Sequence, residues 1–305
     1  MAKEKTKRCG IVSIVGRPNS GKSTLLNNIL GEKVAIVSDI PQTTRYQIRG
    51  ILNDDRGQII FIDTPGMHRP RNRLGVCLVR QIEQAIQGCD LIVHLVDTTK
   101  PPGDEESLVI DRIKDFSGPI ILGLNKIDLR PVFLNAYIEI WEKAKAKKVE
   151  EMTDSFILIP ISALKGINLN ELTAIIFKFL PEGPLLYPQD IISDFPQRLA
   201  LADIIREKLF YLMRQEIPHS LAVYIEEIQP RSNNLIYIRA IILIERDSQK
   251  SIVIGKDGRI LKEIGELARL EIETLLEKKI FLETHVKVKP GWQQDPLILR
   301  QLGYG

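Results

Sequence analysis

The sequence predicts a two-domain chain: a doubly wound α/β domain with a mostly parallel sheet, then a smaller α+β domain. Three observations carry that prediction. The first half alternates short, continuous apolar runs with helix-length amphipathic stretches, the pattern of parallel strands covered on both faces. A proline cluster at Pro181, Pro184, Pro188 and Pro196 then breaks the rhythm, since proline continues neither a helix nor a central strand. Beyond it the order becomes α-β-β-α-α-β. A length of 305 residues is enough for two domains, each with its own core. The expected division is residues 1–181, a linker over 182–196, a second domain over 197–291 and a tail over 292–305.

Taken in order, the apolar runs Ile11–Val15, Ile59–Ile62, Leu91–Val96, Ile120–Leu124 and Phe156–Ile159 are expected strands. Helices are expected at Lys22–Leu30, Leu74–Gln87, Asp104–Phe116, Leu134–Glu150 and Leu169–Phe179. Tyr46–Leu52 reads as a further strand, antiparallel to Ile59–Ile62 through a turn ending at Gly57. In the second domain a helix is expected over Arg198–Glu216, with strands over Ser220–Ile228 and Leu235–Glu245 around the turn Gln229–Asn234. Helices at Ser248–Ile254 and Arg259–Lys279 and a strand at Phe281–Val288 complete it. Gly291–Gly305 shows no periodicity and reads as a tail.

Composition removes several classes. With 44% apolar and 27% charged residues the chain is an ordinary globular protein, not a disordered one. No apolar run reaches the 18 residues of a membrane span, and the basic N-terminus leads into no signal-peptide core. Three cysteines (Cys9, Cys77, Cys89) make an odd count without metal-ligand spacing, which suits a reducing cytosol. The four histidines are scattered, and a net charge of +3 announces no nucleic-acid partner by itself. Any such partner must be argued from a local site.

The chemistry sits at the ends of the expected strands. Gly16-Arg17-Pro18-Asn19-Ser20-Gly21-Lys22-Ser23, followed by Thr24, matches G-x-x-x-x-G-K-[ST] between a strand and a helix. Its backbone N–H groups can cradle phosphate, Lys22 can neutralise the β/γ oxygens, and Ser23 can offer a hydroxyl to Mg²⁺. Asp63-Thr64-Pro65-Gly66 ends the next strand; Asp63 can hold Mg²⁺, and the Gly66 N–H can approach a γ-phosphate. Asn125-Lys126-Ile127-Asp128 ends a third. The Asp128 carboxylate can accept from both N1–H and N2–H of guanine, a donor pair adenine lacks. Asn125 and Lys126 brace that loop, and the Ser162-Ala163 backbone can meet guanine O6. Between the first two motifs, Pro41-Gln42-Thr43-Thr44-Arg45 offers a switch threonine for Mg²⁺; Thr44 is favoured over Thr43, and a turn or capping role stands as the alternative. The expected ligands are GTP or GDP with Mg²⁺.

This ordered set resembles the translation-factor-like GTPases of the TrmE–Era group, and the resemblance implies a GTPase. Met67 stands where Ras-type enzymes carry the glutamine that orients the attacking water, and a thioether cannot do so. Slow intrinsic hydrolysis is therefore expected, with Lys22, Thr44, Gly66 and Asn19 as the catalytic group. In relatives the residue at Asn19 helps to seat a K⁺ beside the phosphates, a substitute for an arginine finger; holding the switch loop is the other reading.

In the second domain Ile254-Gly255-Lys256-Asp257-Gly258-Arg259 lies between two helical stretches. In this element order it resembles the G-x-x-G loop of a prokaryotic-type (type II) KH domain, which clamps about four nucleotides. Eleven Lys plus Arg against nine Asp plus Glu from Arg239 to Gly291 make any basic surface local. Lys287 and Lys289 join the candidate contacts, while Trp292 either stacks on a base or packs the domain edge. A GTPase domain joined to a KH domain along the whole chain implies, by resemblance, binding of single-stranded small-subunit ribosomal RNA near its 3′ end. It also implies action on the 30S particle in its assembly and rRNA maturation. A cytoplasmic monomer is expected, with some peripheral association with the inner membrane.

Overall fold

The computed structural model describes residues 7–38, 40, 43–152, 155–213 and 220–304. The chain forms two compact units. The first comprises Met1–Val37, Thr44–Pro70 and Leu78–Asp194; the second comprises Ser38–Thr43, Arg71–Cys77 and Phe195–Gly305.

The first unit holds a six-stranded sheet in the order β2-β3-β1-β4-β5-β6. Its strands are β1 (Arg8–Val15), β2 (Ile48–Asp54), β3 (Gly57–Asp63), β4 (Leu91–Asp97), β5 (Ile120–Asn125) and β6 (Phe156–Pro160). All neighbours are parallel except β2, which runs antiparallel to β3. Every residue of β3, β4 and β5 is buried, which explains why they read as unbroken apolar runs rather than alternating ones. The helices are α1 (Lys22–Leu30), α2 (Arg73–Gln87, shared between the units), α3 (Asp104–Ile113), α4 (Leu134–Lys145) and α5 (Leu169–Phe179). The chain order reverses at β1, between β3 and β4, so the crevice beyond the strand ends lies there.

Differences from expectation are local. Helix α4 stops at Lys145 rather than Glu150, because Ala146 turns left-handed (φ 52°) and Glu142 accepts from the Val149 N–H at 3.1 Å. Helix α3 ends at Ile113, where Phe116 N–H donates to Ile113 O and tightens the last turn. The proline-rich segment is not a loose tether over its length. Ile51 N–H donates to Ile192 O, Gln58 Oε1 accepts from Leu186 and Tyr187 N–H, and Arg49 pairs with Asp194 at 3.0 Å. Residues up to Asp194 thus cover the edge strand β2, supplying partners that an open edge lacks.

The second unit packs α6 (Gln197–Leu212), α7 (Asp247–Ile254) and α8 (Arg259–Leu276) against a three-stranded sheet. Strands β7 (Ala222–Ser232), β8 (Leu235–Ile244) and β9 (Lys279–Val288) lie in that order, β7–β8 antiparallel and β8–β9 parallel. The core joins Leu201, Ile205 and Leu209 of α6 to Ile238, Ile242 and Ile264, all fully buried. The end of the expected long helix falls on 214–216, outside the described residues. The turn is shorter than expected: β7 runs through Pro230 to Ser232, tolerated on an edge strand whose register slips at Pro230/Ser232. The tail also carries structure. Asp295 caps α9 (Pro296–Gln301), accepting from Leu297 and Ile298 N–H, and Trp292, Leu299, Leu302 and Tyr304 are buried. A helix this short is too brief to show a period. Trp292 is fully buried and donates to Ser220 O at 2.9 Å, so it packs the domain and offers no face to a base.

Candidate functional site

The phosphate-loop sequence folds as a tight passage from β1 into α1. Asn19 (φ 61°) and Gly21 (φ 100°) take left-handed conformations, and Lys22 opens the helix. Gly66 approaches so closely that an added Cβ would stand 2.7 Å from Pro18 Cα. The adjacent Met67 N–H donates to Gly16 O at 3.2 Å, joining the Asp63-Thr64-Pro65-Gly66 turn to the loop. Thr64 fixes that turn from the other side through Ile14 O, at 2.8 Å. The Lys22 side chain is buried; its Nζ donates to Gly16 O and Arg17 O at 3.2 and 2.9 Å. Thr24 sits half-buried on the first turn of α1.

Three oxygen-bearing side chains converge beside Lys22. Ser23 Oγ donates to Asp63 Oδ2 at 2.6 Å and lies 2.8 Å from Thr44 Oγ1. Thr43 takes no part, its hydroxyl donating instead to Ile40 O at 2.6 Å. Asp63 is fully buried, and its Oδ1 has no hydrogen-bond partner among the described residues. Burial pushes its carboxyl up to about 6, against the opposing charge of Lys22. Burial likewise pushes the Lys22 ammonium down to about 8, with Asp63 opposing. Hard oxygen donors around an unsatisfied buried carboxylate fit Mg²⁺, and a buried ammonium short of counter-charge fits phosphate.

A second cluster forms at the ends of β5 and β6. Asn125 is buried; its Nδ2 donates to Ser20 O (2.7 Å) and its Oδ1 accepts from Ala163 N–H (2.8 Å), so one amide joins three motifs. Asn28 adds a further donor to Ala163 O. Lys126 takes a left-handed backbone (φ 68°) and extends Nζ to Asp97 Oδ2 at 2.7 Å. Asp128 is exposed, with one carboxylate oxygen held by Ser162 Oγ at 2.6 Å. The other oxygen is left to meet a ligand edge.

In the second unit, α7 closes with Gly255 N–H on Ser251 O (2.9 Å), and α8 begins after Gly258 (φ 75°). An added Cβ at Gly258 would meet nothing within 4 Å, so the requirement there is conformational, not spatial. Among the described residues no side chain caps the α8 N-terminus, which leaves its first N–H groups and dipole end toward the loop. Lys256, Asp257 and Arg259 are exposed, and Ile254 is half-buried beside them. Lys287 and Lys289 are already engaged, with Glu226 (3.1 Å) and Asp295 (3.8 Å).

Comparison with known proteins finds relatives for both units. A family model described as a 50S ribosome-binding GTPase matches residues 11–126, and a KH-domain model matches residues 216–293. The GTPase Era of Carboxydothermus hydrogenoformans is 46% identical over 97% of this chain and 98% of its own. That of Geobacter sp. strain M21 is 45% identical over 99% of each. The chain belongs to the GTPase Era family. A crystal structure of Era in complex with MgGDPNP and nucleotides 1506–1542 of 16S ribosomal RNA superposes with TM-score 0.90, at 41% identity over 98% of this chain and 99% of that one. A point variant of Aquifex aeolicus Era bound to GDP·AlF₄⁻ gives the same TM-score of 0.90 at 42% identity, over the same shares of the two chains.

Sequence reasoning missed several residues that hold these loops in place. Asp97, the last residue of β4, is buried and holds Lys126; Thr98 fixes the Asn125 carbonyl through both its N–H (3.1 Å) and Oγ1 (2.6 Å). Despite burial, hydrogen bonds from Lys126 and Thr99 hold the Asp97 carboxyl below its ordinary value. The signal was an Asp-Thr-Thr at the end of an apolar strand, the same kind of strand exit as Asp63-Thr64. Among the described residues no helix is long and apolar enough to cross a membrane.

Proposed function

We propose that this protein is a GTP-operated switch: it binds GTP with Mg²⁺ at the first unit, hydrolyses it to GDP and phosphate, and clamps single-stranded RNA at the second. The observation that carries the reading is the meeting of Ser23, Thr44 and Asp63 beside buried Lys22, with Asp128 presented from a loop tied back to Ser20 through Asn125. Ser23 and Thr44 hydroxyls and the Asp63 carboxylate would hold Mg²⁺, which would supply charge neutralisation at the β- and γ-phosphates. Lys22 neutralises the same oxygens, and Gly66, lacking a Cβ, brings its N–H close against the phosphate loop. Thr44 is supported over Thr43 by its place beside Ser23. Asp128 selects guanine with its free carboxylate oxygen, while Ser162 and Ala163 border the base.

Met67 is 3% exposed and packs in the apolar core with Ile82, Val96 and Leu124, so it offers no hydrogen bond to water. Turnover is therefore slow without help, and Asn19 with K⁺ supplies one source of it. The GTP-binding domain extends through Asp194, taking in most of the expected 182–196 linker, and the RNA-binding domain takes in the expected tail after Gly291. RNA of the small ribosomal subunit, near the rRNA 3′ end, is the substrate of the Gly255–Gly258 clamp. Membership of a family with a member solved on that RNA supports this. On this reading the protein acts in 30S assembly, in the cytoplasm. GTP turnover measured with and without RNA, in K⁺ and in Na⁺ at equal ionic strength, tests it. K⁺ should raise the rate, Asn19→Ala should remove most of that rise, and RNA should change turnover. No turnover under any of these conditions would leave a nucleotide-gated RNA chaperone in its place.

A further inference from the structure

Arg17 has no role in phosphate chemistry that its position dictates, yet it is among the most heavily bonded side chains of the first unit. Its guanidinium is 13% exposed and donates to Asp97 O (3.2 Å), Tyr137 Oη (2.7 Å) and Pro101 O (3.2 Å). Its Nε lies 3.5 Å from Glu106 Oε2, a buried oxygen with no hydrogen-bond partner among the described residues. The other Glu106 oxygen accepts from His94 Nε2–H at 2.7 Å, and His94 Nδ1 accepts from the Trp141 indole N–H at 3.0 Å. Both rings and the carboxylate are fully buried. Strand β4 and helices α3 and α4 thus converge on one carboxylate whose cationic partner comes from the phosphate loop.

Asp97 makes the arrangement reach further. Its backbone carbonyl accepts from Arg17 and from Tyr137 (3.0 Å), while its carboxylate holds Lys126. The phosphate loop and the guanine loop therefore hang from adjacent groups of one residue at the end of a fully buried strand. A guanidinium fork suits this task, because its donors are planar and fixed relative to one another. A buried carboxylate left without its cation is costly, so the fork is held in one place.

We propose that Arg17 is a positioning residue for the nucleotide site: locked onto Glu106 and the end of β4, it sets the shape of the phosphate loop and its spacing from the guanine loop. The proposal rests on the GTP-binding reading above. It assigns to Arg17 retention of nucleotide rather than contact with the reacting atoms. Lys22 also feels this cluster, since Glu106 is among the carboxylates that oppose the effect of burial on its ammonium.

The test uses the full-length protein, a fluorescent GDP, stopped-flow measurement of its release and thermal unfolding by circular dichroism. Arg17→Lys keeps a cation beside Glu106 and removes the fork; it should unfold near the wild-type temperature and release GDP at least about tenfold faster. Arg17→Met should lose both stability and retention. Adding Glu106→Gln to it removes the unpaired buried charge, so stability should recover while release stays fast. Wild-type release from Arg17→Lys overturns the proposal. So does a double variant that regains retention together with stability, since Arg17 would then be only a counter-charge. If the methionine variants do not fold, Arg17→Lys alone decides. A wild-type protein that retains no GDP overturns the GTP-binding reading itself, and this proposal with it.

Discussion

Asp128→Asn should convert a guanine site into a xanthine site, and the structure says which way the new amide will face. Ser162 Oγ accepts from Lys165 N–H at 3.1 Å and donates to Asp128 Oδ1 at 2.6 Å. In the variant the amide oxygen must take the Oδ1 position to accept that bond, which turns Nδ2 toward the ligand. Of the bonds the carboxylate accepts from guanine, the one made at the Oδ2 position, about 1.5–3 kcal/mol, gives way to a donor facing a donor. A net loss of about 3 kcal/mol corresponds to roughly a hundredfold weaker GTP binding. The xanthine 2-oxo group accepts from Nδ2–H, so XTP should gain where GTP loses. Competition of GTP and XTP against a fluorescent guanine nucleotide measures both. The same substitution with Ser162→Ala frees the amide to rotate and should erode the XTP preference. A variant that still prefers GTP would refute the assignment of Asp128 to the base.

Lys22→Ala should weaken GTP binding by about a hundredfold, since a charge-assisted contact inside a buried site is lost, and turnover should fall with it. Met67→Ala should show the opposite balance: a core truncation costing about 2–3 kcal/mol of stability in unfolding curves, with a smaller effect on turnover per folded molecule. Mg²⁺-dependent GDP affinity should be bell-shaped in pH: below about 6 Asp63 takes up a proton and loses its claim on the metal, and above about 8 free Lys22 loses its charge. An affinity flat across both of those values, measured at saturating Mg²⁺, would contradict this. Gly258→Asp should abolish binding of single-stranded RNA by the full-length protein in anisotropy titrations, because a side chain is forced onto a backbone with φ 75° and a carboxylate is set against phosphate. GDP binding should stay near wild type; RNA binding at wild-type strength would reduce the loop to a turn.

Much of this protein was determined by sequence alone, and the reason is physical. Short, mostly apolar runs such as Leu91–Val96, bounded by turn residues and too short for a helix, read as strands buried on both faces, and a phosphate loop needs its glycines and lysine at fixed spacing because backbone atoms do the binding. The four nucleotide motifs and the Gly255–Gly258 loop were therefore legible, as was the order α-β-β-α-α-β. Tertiary structure decided what depends on partners distant in the chain. Thr43 and Thr44 are the same residue type side by side, and only the fold brings one hydroxyl to Ser23. Trp292 could stack or pack until its burial against Ser220 settled it. Arg17, Glu106, His94 and Trp141 carry no motif, since a buried charge is recognisable only once its partner, far away in the chain, is seen beside it. Local chemistry is written in order along the chain, whereas satisfaction of buried polar groups is a property of the packed whole.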